Sequence, residues 1–85
     1  MSKMFITEDE MRVLVQEEIQ KYDLPENVEV GVVLLTHSYQ TVWRLCLLVR
    51  NTLTKYFEIF YSEDSPEKNM REAMKKLITR WDEER

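Results

Sequence analysis

Glycine is nearly missing from this 85-residue chain: Gly31 is the only one. A phosphate-cradling P-loop and the dinucleotide fingerprint both need several glycines at fixed spacing, so neither can be built here. Cysteine is as scarce. Cys46 has no second cysteine to pair with, so the fold depends on no internal disulfide and on no oxidising compartment. One histidine, His37, and one cysteine cannot close a zinc site without carboxylates. In a hairpin, His37 falls at the turn, about 20 Å along the strands from Cys46, too far for a nucleophile–base pair. Long apolar runs are also wanting. The longest, Gly31 to Leu35, is far short of the ~20 residues that span a bilayer. No apolar stretch follows a basic N-terminal region, as a secretory signal would require. These absences set the expectation of a cytoplasmic protein with no catalytic residues, no metal and no cofactor.

What is present is enough for a core. The hydrophobic share of 44% argues against disorder, and 85 residues suit one α+β domain over positions 1–85. A chain of this size buries only about 60–65% of its unfolded surface, so its stability margin is modest. Twelve basic against sixteen acidic residues give a net charge of −4. The overall field therefore repels nucleic-acid phosphates unless basic residues segregate to one face.

The first helix is signalled by Thr7-Glu8-Asp9-Glu10, a capping box, with Ile6 and Met11 as a hydrophobic staple. Met11, Leu14, Val15, Ile19 and Tyr22 recur at helical spacing, and Pro25 closes the element, giving a helix over 7–23. Three segments rich in β-branched and aromatic residues follow, predicting strands over 28–36, 41–50 and 53–61. Gly31 within the first of them marks a bulge or a close approach. The connections His37-Ser38-Tyr39-Gln40 and Arg50-Asn51-Thr52 are short, so the sheet is antiparallel with strands in sequential order. Ser65-Pro66 then supplies an N-cap and a first-turn proline, with Asp64 as a rival cap. Met70, Ala73, Met74, Leu77, Ile78 and Trp81 form the apolar stripe of a helix over 66–82. The simplest packing is two-layered: α-β-β-β-α, with both helices on one face of a three-stranded antiparallel sheet.

Register decides which residues that arrangement leaves uncovered. A two-residue link at Ser38-Tyr39 aligns Val30, Val32 and Leu34 with Leu47, Leu45 and Trp43 under the helices. A three-residue second turn adds Phe57, Ile59 and Tyr61 to that side, whereas a two-residue turn would bring Glu58 there. The three-residue choice leaves Val33, Leu35, Val42, Arg44, Cys46, Leu48, Tyr56, Glu58 and Phe60 on the far side. One wet face of an antiparallel sheet normally alternates to polar residues. An oily one points to contact with a partner protein or a second copy. Val33, Leu35, Val42, Arg44, Leu48, Tyr56 and Phe60 are therefore the candidate partner-binding residues, with the edge strands as a second route by strand addition.

Other constellations are weaker. Glu29 and Glu58, the one carboxylate pair considered for glycoside chemistry, lie about 12 Å apart on outer strands with no cleft. The helix–three-strand–helix order resembles the double-stranded-RNA-binding domain, whose second helix opens with lysines against the duplex backbone. The resemblance implies Lys68, Arg71, Lys75 and Lys76, with Arg80 beyond, as alternative nucleic-acid-binding residues. Here, however, that helix opens Ser65-Pro66-Glu67-Lys68-Asn69, and Glu67 and Glu72 interrupt the basic residues. Shape and charge are also similar to small acidic anti-CRISPR proteins of phage, which occupy a nucleic-acid groove with acidic surface. Glu8, Asp9, Glu10, Glu17, Glu18 and Asp82-Glu83-Glu84 would supply that charge. The expectation that results is a non-enzymatic interaction module: an adaptor, a regulator or an inhibitor.

Overall fold

A computed structural model describes residues 6–37 and 40–84, apart from the side chains at positions 36, 37, 40 and 41. Five elements run α1 (Glu8–Ile19), β1 (Val28–His37), β2 (Gln40–Val49), β3 (Thr52–Tyr61) and α2 (Pro66–Glu84). The strands form one antiparallel sheet in the order β1-β2-β3. The fold is α+β, as expected.

α1 starts where its cap dictates. The Glu10 amide donates to Thr7 Oγ1 at 3.1 Å, and the Thr7 amide donates to Glu10 Oε1 at 3.0 Å. Met11 and Val15 are fully buried, with Leu14 and Ile19 packed beside them. The helix ends at Ile19, four residues sooner than its apolar spacing predicts. The amides of Lys21 and Tyr22 bond back to the Glu18 and Ile19 carbonyls, three residues before each. This tighter winding closes the helix and turns the chain toward β1, and Tyr22 still packs on the core from the connection. α2 opens as read: the Lys68 amide donates to Ser65 Oγ at 3.2 Å, and Pro66 occupies the first turn. Asp64 is no rival cap; it turns the chain with φ 66°.

β1 and β2 pair without a break from Val28↔Val49 to His37↔Gln40, in the predicted register, so Gly31 opposite Cys46 marks no bulge. Residues 38 and 39 of the first turn lie outside the described residues. The second hairpin departs from expectation. Val49 pairs with Thr52, so the turn holds only Arg50 and Asn51, both left-handed at φ 53° and 64°, as the strand twist requires. The irregularity lies further on. Cys46 pairs with Phe57 and Leu48 with Leu53, so β3 carries two more residues than β2 over that stretch. Thr54 Oγ1 repairs the ladder there, donating to the Leu47 carbonyl at 2.7 Å and accepting from the Tyr56 amide at 3.2 Å.

The two-residue turn reverses the faces assigned to β3. Phe60 is 5% exposed and stacks on Trp43, ring centroids 6.3 Å apart and planes 10° from parallel. Tyr56 packs against the same core. Phe57, Ile59 and Tyr61 face away from the helices. Glu58 does reach the helix side, the arrangement that argued against a short turn, but it does not go there unpartnered. Arg80 of α2 donates to Glu58 Oε2 at 2.7 Å and to the Phe57 carbonyl at 3.0 Å. The rest of the core is apolar: Val28, Val30 and Val32 of β1, Trp43, Leu45 and Leu47 of β2, and the α2 stripe from Met70 to Trp81. Trp43 Nε1 donates to Ser62 Oγ at 2.6 Å, and Glu18, which pairs locally with Lys21 at 3.0 Å, joins the two helices through Arg71 at 3.5 Å. Among the described residues, no helix is long and apolar enough to cross a membrane.

Candidate protein-docking face

The side of the sheet opposite the helices is built by alternation. Odd positions of β1 and even positions of β2 point there, and the turn at Arg50-Asn51 sends the odd positions of β3 with them. Val33, Leu35, Val42, Leu48, Leu53, Phe57, Ile59 and Tyr61 form the apolar surface, with Cys46 beneath it. Five of them stay 43% to 63% exposed: Val33, Leu53, Phe57, Ile59 and Tyr61. Scattered exposed apolar residues are ordinary on any protein. Five on one continuous sheet face, three of them alternating along β3, are a patch.

Of the seven residues expected to bind a partner, Val33, Leu35, Val42, Arg44 and Leu48 share this face. Tyr56 and Phe60 do not; the short turn places them among the helices. Phe57, Ile59, Tyr61 and Leu53 take their place. The alternation of β3 could not decide between the two sets, because both parities carry aromatic residues and each carries one charge. The signal that could have decided was Arg80, a cation beside the apolar stripe of α2, within reach of Glu58.

The middle of the face carries one charge. Arg44 sits at the fifth of the ten positions of β2, with its guanidinium 5.0 Å from the centre of the Phe57 ring. Its Nε is buried and meets no hydrogen-bond acceptor among the described residues. Below it, burial pushes the Cys46 thiol above its ordinary pKa, a shift that the Arg44 charge partly offsets. Beside Gly31, Leu48 Cδ1 lies 3.4 Å from where a Cβ at position 31 would stand, an ordinary contact distance. The remaining charges are peripheral: Glu29 at the start of β1, and Lys55, which pairs with Glu84 at 3.7 Å.

The sheet edges are partly closed by side chains. Asn69 Nδ2 donates to the Tyr61 carbonyl at 2.8 Å and Arg80 takes the Phe57 carbonyl, both on β3. On β1 the Leu34 amide donates to Glu8 Oε2 at 3.3 Å. Such plugs work against the addition of a foreign strand.

The other expected constellations are dispersed. Arg71 is engaged by Glu67 and Glu18. The groove of about 630 Å³ beside α2 sets Lys75, Lys76 and Arg80 against Glu58, Glu72 and Glu83, so no field of one sign develops. The acidic set is largely spoken for: Glu10 caps α1, Glu8 bonds β1, Asp9 pairs with Arg12, and Glu18 is 8% exposed. Glu29 and Glu58 lie on opposite faces of the sheet. Among the described residues, no cluster of His, Cys, Asp or Glu could hold a metal ion. Compared with protein-family models, curated proteins and solved structures, the chain matches none.

Proposed function

We propose that this chain is a non-enzymatic protein-interaction module, an adaptor, regulator or inhibitor, that docks on another protein through the open face of its sheet. The observation that carries this reading is the exposure of Val33, Leu53, Phe57, Ile59 and Tyr61 on one side of a sheet whose other side is fully packed. Leaving such a patch in water forgoes burial worth ~25 cal/mol per Å² of apolar surface, which a docked partner would recover. The edge plugs support use of the face over strand addition, and the interleaved charges of α2 favour no nucleic-acid duplex.

Affinity capture from cells with the wild type and with Ile59→Asp tests the reading, with circular dichroism to confirm that both fold. Proteins retained by the wild type are expected to be lost with Ile59→Asp. An unchanged set of captured proteins would overturn it.

A further inference from the structure

The docking reading leaves the occupant open, and Arg44 narrows it. We infer that the face receives a helix from another protein, with an apolar stripe interrupted at its middle by one aspartate or glutamate. This rests on the docking function proposed above.

The first argument is charge. Among the described residues, Arg44 is the only charge at the centre of the face, with a buried Nε lacking an acceptor and a guanidinium over the Phe57 ring. A wholly apolar partner would strip the remaining water from this cation and return nothing. A carboxylate at that point supplies a charge-assisted hydrogen bond in a site shielded from solvent.

The second argument removes the second copy as occupant. Two such faces packed against each other are related by a two-fold axis lying in the interface. Full overlap, whichever way the axis runs, brings Arg44 opposite Arg44 across sheets about 10 Å apart, with no counter-charge nearby. Sliding the copies until Arg44 meets Glu29 moves the axis to the Gly31–Cys46 pair. Leu35, Val42 and Tyr61 then fall outside the contact, and only about 20 Å of the sheet length stays covered.

The third argument is shape. Ten-residue strands at ~3.3 Å per residue and three strands at ~4.8 Å spacing make a face about 33 Å by 14 Å. One helix of roughly 20 residues, about 10 Å across, runs the length of that face and covers most of its width. The opposite face already takes helices in this way, and the plugged edges discourage a strand.

A display library tests the inference: 20-residue helical peptides with a fixed leucine stripe and randomised central positions, panned on the wild-type protein. Binders are expected to carry Asp or Glu at the centre, to weaken tenfold or more against Arg44→Met, and to vanish against Ile59→Asp. Replacing the selected Glu by Gln should weaken binding to the wild type by a similar factor. Binders with an apolar or basic centre that Arg44→Met leaves unaffected would overturn the carboxylate, while leaving docking on the face intact. A wild-type dimer in sedimentation that Ile59→Asp splits would overturn the foreign helix in favour of a second copy. A library with no binder sensitive to Ile59→Asp would overturn the helix outright, and the capture experiment then decides the docking function separately.

Discussion

One sheet here meets two environments with much the same residues. Its helix side presents Val30, Val32, Trp43, Leu45, Leu47 and Phe60, all within a few per cent of complete burial. Its open side presents Val33, Leu35, Val42, Leu48, Phe57 and Ile59, none of them fully buried. Composition does not separate the two. What separates them is that α1 and α2 each have one apolar stripe, enough to roof a single side, and that the one charge central to each side is handled differently. Glu58 on the roofed side has Arg80. Arg44 on the open side has only an aromatic ring.

The comparison breaks first where burial differs most. Leu77→Ala, in the fully buried stripe of α2, should lower stability by ~2–5 kcal/mol in denaturant unfolding. Ile59→Asp should cost only about 1 kcal/mol, mostly in strand propensity, because nearly half of that side chain already meets water. Similar losses from both would mean that the open side is no surface at all. Next is the charge on the roofed side. Arg80→Met takes the hydrogen-bonded cation from a Glu58 carboxylate that meets little solvent, a loss of ~1–3 kcal/mol. The double variant Glu58→Leu with Arg80→Met should recover much of it. An Arg80→Met protein as stable as the wild type would show that the pair does not fix the face of β3.

The smallest effect sharpens the open side through Cys46. Burial raises its thiol pKa in the fold, so the native state holds the proton more tightly than the unfolded chain. That contribution is complete below the thiol's unfolded pKa and is lost as pH rises through the folded one. Stability should therefore fall on the alkaline side, and Cys46→Ala should flatten that limb of a stability–pH profile. An identical alkaline limb in Cys46→Ala would show that the thiol is as free as in the unfolded chain.

How much of this was legible beforehand follows the clarity of alternation. A two-residue link at Ser38-Tyr39 aligns Val30, Val32 and Leu34 with Leu47, Leu45 and Trp43, and that register is the one observed. α2 was readable from Ser65-Pro66 through Trp81, because cap and stripe agree. β3 offered no such agreement. Tyr56 and Phe60 on one parity and Phe57, Ile59 and Tyr61 on the other are equally fit for a core. The two charges pointed opposite ways: Lys55 shares the parity of Phe57 and favoured the observed faces, while Glu58 argued against them because its partner lies 22 residues along the chain. Most of the docking face was thus visible from β1 and β2, and its β3 third was not. The early end of α1 was hidden for a different reason: Tyr22 keeps its contact with the core from outside the helix, so the apolar spacing outlasts the winding.

The two surplus residues of β3 carry a consequence for how this protein can change its length. An even insertion leaves every later side chain of the strand on the side it would have occupied anyway, so the looped-out stretch behind Thr54 acts as slack. Lineages could lengthen or trim it in pairs and keep both surfaces, whereas a single added or lost residue would exchange the interior for the exterior from Tyr56 onward.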